Sequence, residues 1–426
     1  MTRWQAGSVS RPAESDTRAA SSARAGPAGP QLMRAMNERA LLEHIRRTGP
    51  VSRAELARLS GLSKPTVGVA LANLERDGIV RLAGRRIGMR GPAALLYELR
   101  PEAGFILGID LGRECLRAAI SDLAGVVRAR SAHPLPTGET PTRVREIATL
   151  ADEMAAGAGL ERQGFTQVVV GTPGIYDSAS QVIRLAHDFP GWERPGLLQE
   201  LREAFGESTT LENDVALAAL AERDFGHGKE FKTFGFVCVG QCVGMRLVMN
   251  GELYRGAHGA AGEIAYLPIV SPEKVSPDDV RLRGRLEASA SAAAVVSRAR
   301  RSGLGGPLSV RRIFASAAAG DAKAQAVVSE EAELVARAVG SIVAVVDPEL
   351  VVLAGVIGRA EGFKEAVVEA LGSLVPLVPE MRVSTLGEES VVDGCLVAGT
   401  DLAWSRILGH LQASGGAASP RVASRR

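Results

Sequence analysis

The sequence predicts an α/β protein in which a small three-helix unit with a β-hairpin wing precedes a larger body of alternating strands and helices. Helix-start signatures recur three times between Asn37 and Leu99 and are followed by two short strands joined by a basic loop. From Gly104 onward, short apolar strands alternate with amphipathic helices, the pattern of a mixed sheet covered by helices. Charge divides along the same line. Residues 1–100 carry 17 Lys and Arg against 8 Asp and Glu, a surplus of 9, whereas the remainder carries 33 against 40. Such asymmetry points to an anionic partner for the N-terminal part alone.

At 426 residues and 46% hydrophobic content, the chain is long enough for two or three domains. No uninterrupted apolar run reaches the ~18 residues of a spanning helix, and there is no secretory-type apolar block, so no membrane partner and a cytoplasmic location are expected. Cys115, Cys238, Cys242 and Cys395 are too scattered for a disulfide framework or a Cys/His metal cluster, and are expected to be buried thiols. Residues 1–32 and 411–426, rich in Ala, Ser, Arg and Gly, lack the large apolar side chains that offset ordering entropy, and read as disordered tails.

Ordered structure is expected from Asn37, read as the cap of a helix to Thr48, with Gly49 ending it. Ser52 and Glu55 form a capping box, and Val51 staples Leu56, opening a second helix to Ser60. Ser63 caps a third helix, with Pro65 in its first turn and Leu62 stapling Val67, that runs to Gly78. Val67, Ala70, Leu71 and Leu74 share its inner face. Ile79–Ala83 and Ala94–Leu99 are the strands of the wing. In such a unit the third helix enters the major groove of double-stranded DNA while basic groups hold phosphates. Ser63, Lys64, Thr66, Val69 and Asn73 are the candidate base readers; Arg85, Arg86 and Arg90 on the loop are the candidate backbone contacts.

In the body, strands are expected at Phe105–Leu111, Leu116–Asp122, Val126–Ser131, Val168–Gly171, Thr233–Val239, Val243–Met249 and Leu350–Leu353, with a hairpin turn at Asn250-Gly251.

The run Ala54 to Val67 closely resembles the winged-helix head of ROK-family transcriptional regulators, and the resemblance extends over residues 37–405. It implies a winged helix-turn-helix over 33–100 and a two-lobed actin-like ATPase (ribonuclease H-like) body. Lobe 1 would span 101–212 and lobe 2 213–410, with a C-terminal helix returning to lobe 1. Gly108-Ile109-Asp110-Leu111-Gly112 resembles the first phosphate loop of ROK sugar kinases, but Arg113-Glu114 follow where a Gly and a Thr would meet ATP. In the second loop, Gly240-Gln241-Cys242-Val243-Gly244-Met245-Arg246, several small residues have become large, and the family's Gly-Gly pair is Ala354-Gly355. ATP use is therefore not expected.

The sugar side is better kept. Gly171-Thr172-Pro173-Gly174 resembles the loop beside the sugar, Asn213-Asp214 the family's Asn-Asp pair, and Glu263 and Glu287 its sugar-contacting carboxylates. Where the family has a zinc- and sugar-binding His, this chain has Tyr266, and the zinc cysteines fall at Asp278, Val280 and Arg285. No metal and no cofactor are expected, and the loop Pro268–Arg283 is expected to be looser or rebuilt. The resemblance implies a repressor of carbohydrate-related genes whose homodimer or higher homo-oligomer binds operator DNA, with a sugar or sugar derivative as effector at Gly171, Thr172, Asn213, Asp214, Glu263, Tyr266 and Glu287. An active sugar kinase and a ligand-blind DNA-binding protein are the alternatives.

Overall fold

The computed structural model describes residues 30–86, 93–112, 115–135, 140–161, 164–177, 180–186, 189, 191–269 and 276–413. The head comprises α1 (Pro30–Thr48), β1 (Val51–Ser52), α2 (Arg53–Ser60), α3 (Lys64–Arg76), β2 (Val80–Arg86) and β3 (Ala94–Leu99). The body continues with β4 (Phe105–Leu111), β5 (Cys115–Asp122), β6 (Val127–Pro134), α4 (Thr140–Gly157), β7 (Phe165–Thr172), β8 (Ile175–Asp177), β9 (Val182–Arg184), α5 (Leu197–Phe205) and β10 (Thr209–Asn213). Its second half holds α6 (Asp214–Phe225), β11 (Phe234–Val239), β12 (Val243–Met249), β13 (Glu252–Tyr254), α7 (Pro277–Arg283), α8 (Arg285–Ala290), α9 (Ala292–Arg301), α10 (Val310–Ala318) and α11 (Ala322–Val346). It closes with β14 (Leu350–Ala354), α12 (Gly355–Gly358), α13 (Phe363–Gly372), β15 (Glu380–Val383) and α14 (Ser390–Ala413).

The head folds for the reasons its sequence announces. Ser52 Oγ accepts from the Glu55 amide at 3.3 Å while Glu55 accepts from the Ser52 amide at 2.9 Å, completing the capping box. Ser63 caps α3 in the same way, and Val67, Ala70, Leu71 and Leu74 are its buried residues. Asn37, however, does not cap α1: the helix starts at Pro30, because Ala35 and Glu38 already face the interior and carry the helix back into the expected tail.

The body is built from two sheets of identical plan. The first has order β10-β7-β4-β5-β6 and the second β13-β12-β11-β14-β15. In each, three antiparallel strands are followed by two parallel ones. Asn250 and Gly251, both at positive φ, turn β12 into β13 as a type I′ turn requires.

α14 joins all parts. It packs on β4, β7 and β5 of the first sheet, on α6, and on α1 of the head. Gly394 permits the closest of these approaches: a Cβ there would lie 1.9 Å from the Leu217 carbonyl oxygen of α6. At the far end Ala403 and Trp404 share one core cluster with Leu41, Leu42 and Ile45 of α1, which holds α14 helical through Ala413, past the expected start of the tail. Of the segment expected to be looser or rebuilt, residues 277–283 form the helix α7, capped by Ser276 Oγ accepting from the Asp279 amide at 3.0 Å. One further expectation is corrected. Of the four cysteines only Cys395 is buried; Cys115 and Cys238 are half-buried, and Cys242, in the turn between β11 and β12, is exposed.

Candidate DNA-binding face and effector site

At the head, Ser63 and Lys64 at the start of α3 are exposed, Val69 is 56% exposed on the same helix, and Thr66 is half-buried with its hydroxyl 2.8 Å from Ser63 Oγ. Asn73 turns inward, donating from Nδ2 to Glu38 Oε1 at 2.6 Å, so its amide braces α3 on α1. Arg86 donates to Glu55 Oε1 at 2.6 Å and ties the wing to the capping box. Arg85 is exposed and has no ion pair among the described residues. Arg90 lies outside the described residues.

In the body, the parallel register sets Gly171 beside Glu212 and Thr172 beside Asn213. Thr172 is fully buried with its hydroxyl on the Pro173 carbonyl, and Gly171 is packed between Leu217 and Val391, so this stretch offers backbone rather than side chains. Asn213 caps α6, accepting from the Ala216 amide at 3.0 Å, and donates to the Gly174 carbonyl at 3.0 Å. Asp214 accepts from the Val215 amide at 2.7 Å; burial, opposed by that bond and by the Arg246 charge, pushes its carboxyl up to about 6.

Glu263, Tyr266 and Glu287 converge nearby. Burial raises the Tyr266 hydroxyl above its usual range, and the Glu263 and Glu287 charges raise it further. Each of the three is engaged: Glu263 accepts from Arg246 Nη2 at 2.7 Å, Glu287 from the Val243 amide at 3.1 Å, and Tyr266 donates to the Leu282 carbonyl at 3.0 Å. Asn213 faces a cavity of about 180 Å³, whereas Asp214 faces a separate cleft of about 990 Å³. A structural zinc does not fit this corner. Asp278 and Val280 lie on α7, Arg285 opens α8, and a valine and a guanidinium supply no ligand, while the Tyr266 bond to Leu282 itself docks α7 onto the turn.

A ROK family model matches residues 106–396, and a winged helix-turn-helix DNA-binding model matches residues 37–81. The chain belongs to the ROK family. A xylose repressor of Caldicellulosiruptor bescii is 24% identical over 387 residues, 86% of this chain and 95% of the relative. A solved ROK family transcriptional regulator, a homologue of the E. coli MLC protein, aligns over 89% of this chain and 99% of its own with a TM-score of 0.73 at 20% identity, which shows the shared fold. The ROK hexokinase of Thermus thermophilus aligns over 69% of this chain and 97% of its own, with a TM-score of 0.61 at 28% identity. Over several other curated relatives the matched part spans only 60–62% of their length.

In this ROK chain the large cleft is crossed by an ion-pair chain. Asp110, 6% exposed at the end of β4, lies 3.6 Å from Arg117 Nη1, and Arg117 also pairs with Glu388 just before α14. Burial first, and then the Asp214 charge, push the Asp110 carboxyl up to about 7. Residues 113–114 lie outside the described residues. The sequence reading overlooked Arg117 and Arg255, and placed Arg246 only in the second phosphate loop. Arg117 was within reach, since β4 and β5 read as adjacent strands and an Arg beside an inward-facing Asp is a cross-strand pair. Arg255, which reaches Glu212 at 2.7 Å across 43 residues, carried no local signal. Among the described residues no helix is long and apolar enough to cross a membrane.

Proposed function

We propose that this chain is a DNA-binding transcriptional repressor of carbohydrate-related genes, acting in the cytoplasm as a homodimer or higher homo-oligomer, whose body senses a sugar or sugar derivative without phosphorylating it. The observation that carries the reading is the seating of the winged head on α14, whose other end, at Ser390 and Val391, walls the large cleft. Head and cleft thus share one rigid element. The xylose repressor relative, matched over nearly its whole length, supports the same assignment.

In this reading α3 lies in the major groove with Ser63, Lys64, Thr66 and Val69 toward bases and Asn73 bracing the helix, while Arg85, Arg86 and Arg90 meet the backbone. The effector sits against the loop at Gly171 and Thr172 and among Asn213, Asp214, Glu263, Tyr266 and Glu287. Its arrival shifts α6, which begins at Asp214; α6 passes the shift to α14 and thence to α1. Paired recognition helices would then no longer match half-site spacing. The absence of phosphoryl transfer is supported by Gln241, a bulky amide in the second loop, and by Arg117 of β5, whose guanidinium lies in the same cleft already engaged with Asp110 and Glu388.

The test is fluorescence anisotropy of the full chain on its own upstream intergenic DNA at two salt concentrations, with and without sugars. Tight binding over random DNA that a sugar releases establishes the sensor; specific binding that no sugar alters refutes the coupling. A sugar kinase is the second reading, favoured by the size of the cleft and by Asp214, whose pKa near 6 suits a general base. ATP turnover with a hexose panel decides between them.

A further inference from the structure

We infer that the effector is an anionic monosaccharide derivative, one carrying a carboxylate or phosphate, and that Arg246 and Arg255 select it; this rests on the effector-sensing reading above. The two guanidinium groups line the same cavity of about 180 Å³ as Asn213, with Tyr176 and Tyr254 also in its lining. At ~30 Å³ per water that space holds about six waters, enough for one small sugar and too little for an oligosaccharide.

Neutral polyols are recognised by acceptors, chiefly carboxylates that take hydroxyl protons. Here the carboxylate in the cavity lining, Glu212, is paired with Arg255 at 2.7 and 3.2 Å, and Glu263 beside it is paired with Arg246, a residue only 3% exposed. Both guanidinium groups keep N–H donors beyond these pairs. Arg246 directs Nη1 to the Met245 carbonyl at 2.8 Å and Nη2 to Glu263, leaving Nε without a partner among the described residues. Arg255 uses Nε and Nη2 on Glu212 and likewise leaves Nη1. A guanidinium anchored by a carboxylate on one side is held in a fixed orientation, and the N–H groups it keeps on the other, Nε of Arg246 and Nη1 of Arg255, are complemented by an anion. The two rings give the sugar a flat apolar wall.

The experiment is isothermal titration calorimetry of the full chain with glucose and xylose, set against glucuronate, gluconate and glucose 6-phosphate. At least one anion should bind tenfold or more tightly than glucose, carboxylate and phosphate arms showing which anion fits. Arg255→Ala, a surface change that should leave the fold and operator binding intact, should remove that preference while sparing the neutral sugars, and Arg255→Lys should restore part of it. Neutral sugars binding as tightly as the anions, or an undiminished preference in Arg255→Ala, would overturn the inference and leave sugar sensing standing. Binding of none of the five would overturn both.

Discussion

Glu55 belongs at once to the capping box of α2 and to the wing through Arg86. The Ser52 amide foremost, then the Ser52 hydroxyl and Arg86, hold its carboxyl down to about 2, from 4.5 in an unconstrained chain. A depressed carboxylate stabilises the fold fully above its unfolded pKa and loses that contribution as pH falls toward the folded value. Glu55→Gln should therefore lower stability near pH 7 by about 1 kcal/mol, the usual worth of a cap, with the gap from wild type narrowing below pH 4.5 and closing only as pH falls through about 2. Thermal melts across that range check it; a gap that does not vary with pH would deny the carboxylate its part. Asp110 has the opposite sign. Its carboxyl is raised from 3.8 to about 7, so the folded state holds the proton more tightly and stability falls as pH rises through that window. Asp110→Asn should melt higher than wild type at pH 8 and lose the advantage by pH 4. At this scale the sequence announced Ser52 with Glu55, three residues apart, but not Arg86 or the Asn73–Glu38 bond, whose partners lie 31 and 35 residues away. Only the folded chain brings them together.

Elements divide by how locally their cause is written. α2, α3 and the β12–β13 turn follow from caps and turn residues a few positions apart, and their bounds were readable. The start of α1 was not, because burial of Ala35 and Glu38 depends on α3 being in place. The common strand order of the two sheets was equally hidden, since pairing rather than periodicity sets it. The recognition helix and the wing make separable predictions: Lys64→Ala should alter sequence preference, while Arg85→Ala should weaken binding to every DNA alike and lower the salt slope by about 1. Anisotropy on specific and random duplexes at several salt concentrations distinguishes them, and an equal loss on both DNAs for Lys64→Ala would remove it from base reading. The α6–α14 crossing is tested by Gly394→Ala. The added methyl meets backbone at Leu217, which cannot rotate away, so a loss of about 1–3 kcal/mol is expected in denaturant unfolding.

Across the whole molecule, the proposed effector site and the winged helix-turn-helix head are linked through two packed helices. Asn213 and Asp214 sit at the start of α6, α6 packs along α14, and α14 meets α1 where the Arg46 guanidinium lies 6.0 Å from the Trp404 ring. Trp404 is fixed in turn by donating from Nε1 to the Leu123 carbonyl at 3.3 Å. A cation over an aromatic ring at a partly exposed site contributes about 0.5–1 kcal/mol, too little to hold the head in place against the apolar cluster beneath it but comparable with the lower end of the 1–3 kcal/mol typical of coupling between sites. Arg46→Ala should consequently leave operator affinity and effector affinity, each measured alone, within about twofold of wild type. The effector-induced change in operator affinity should shrink severalfold. Linkage makes the effect reciprocal, so operator DNA should lose the same factor in its influence on effector binding. Anisotropy with and without effector, and calorimetry with and without operator, measure the two sides of that cycle. Unchanged coupling in Arg46→Ala would place the transmission in the buried packing of Ala403 and Trp404 against Leu41, Leu42 and Ile45, and unequal factors on the two sides would mean that a further species, such as a change in oligomeric state, takes part in the cycle.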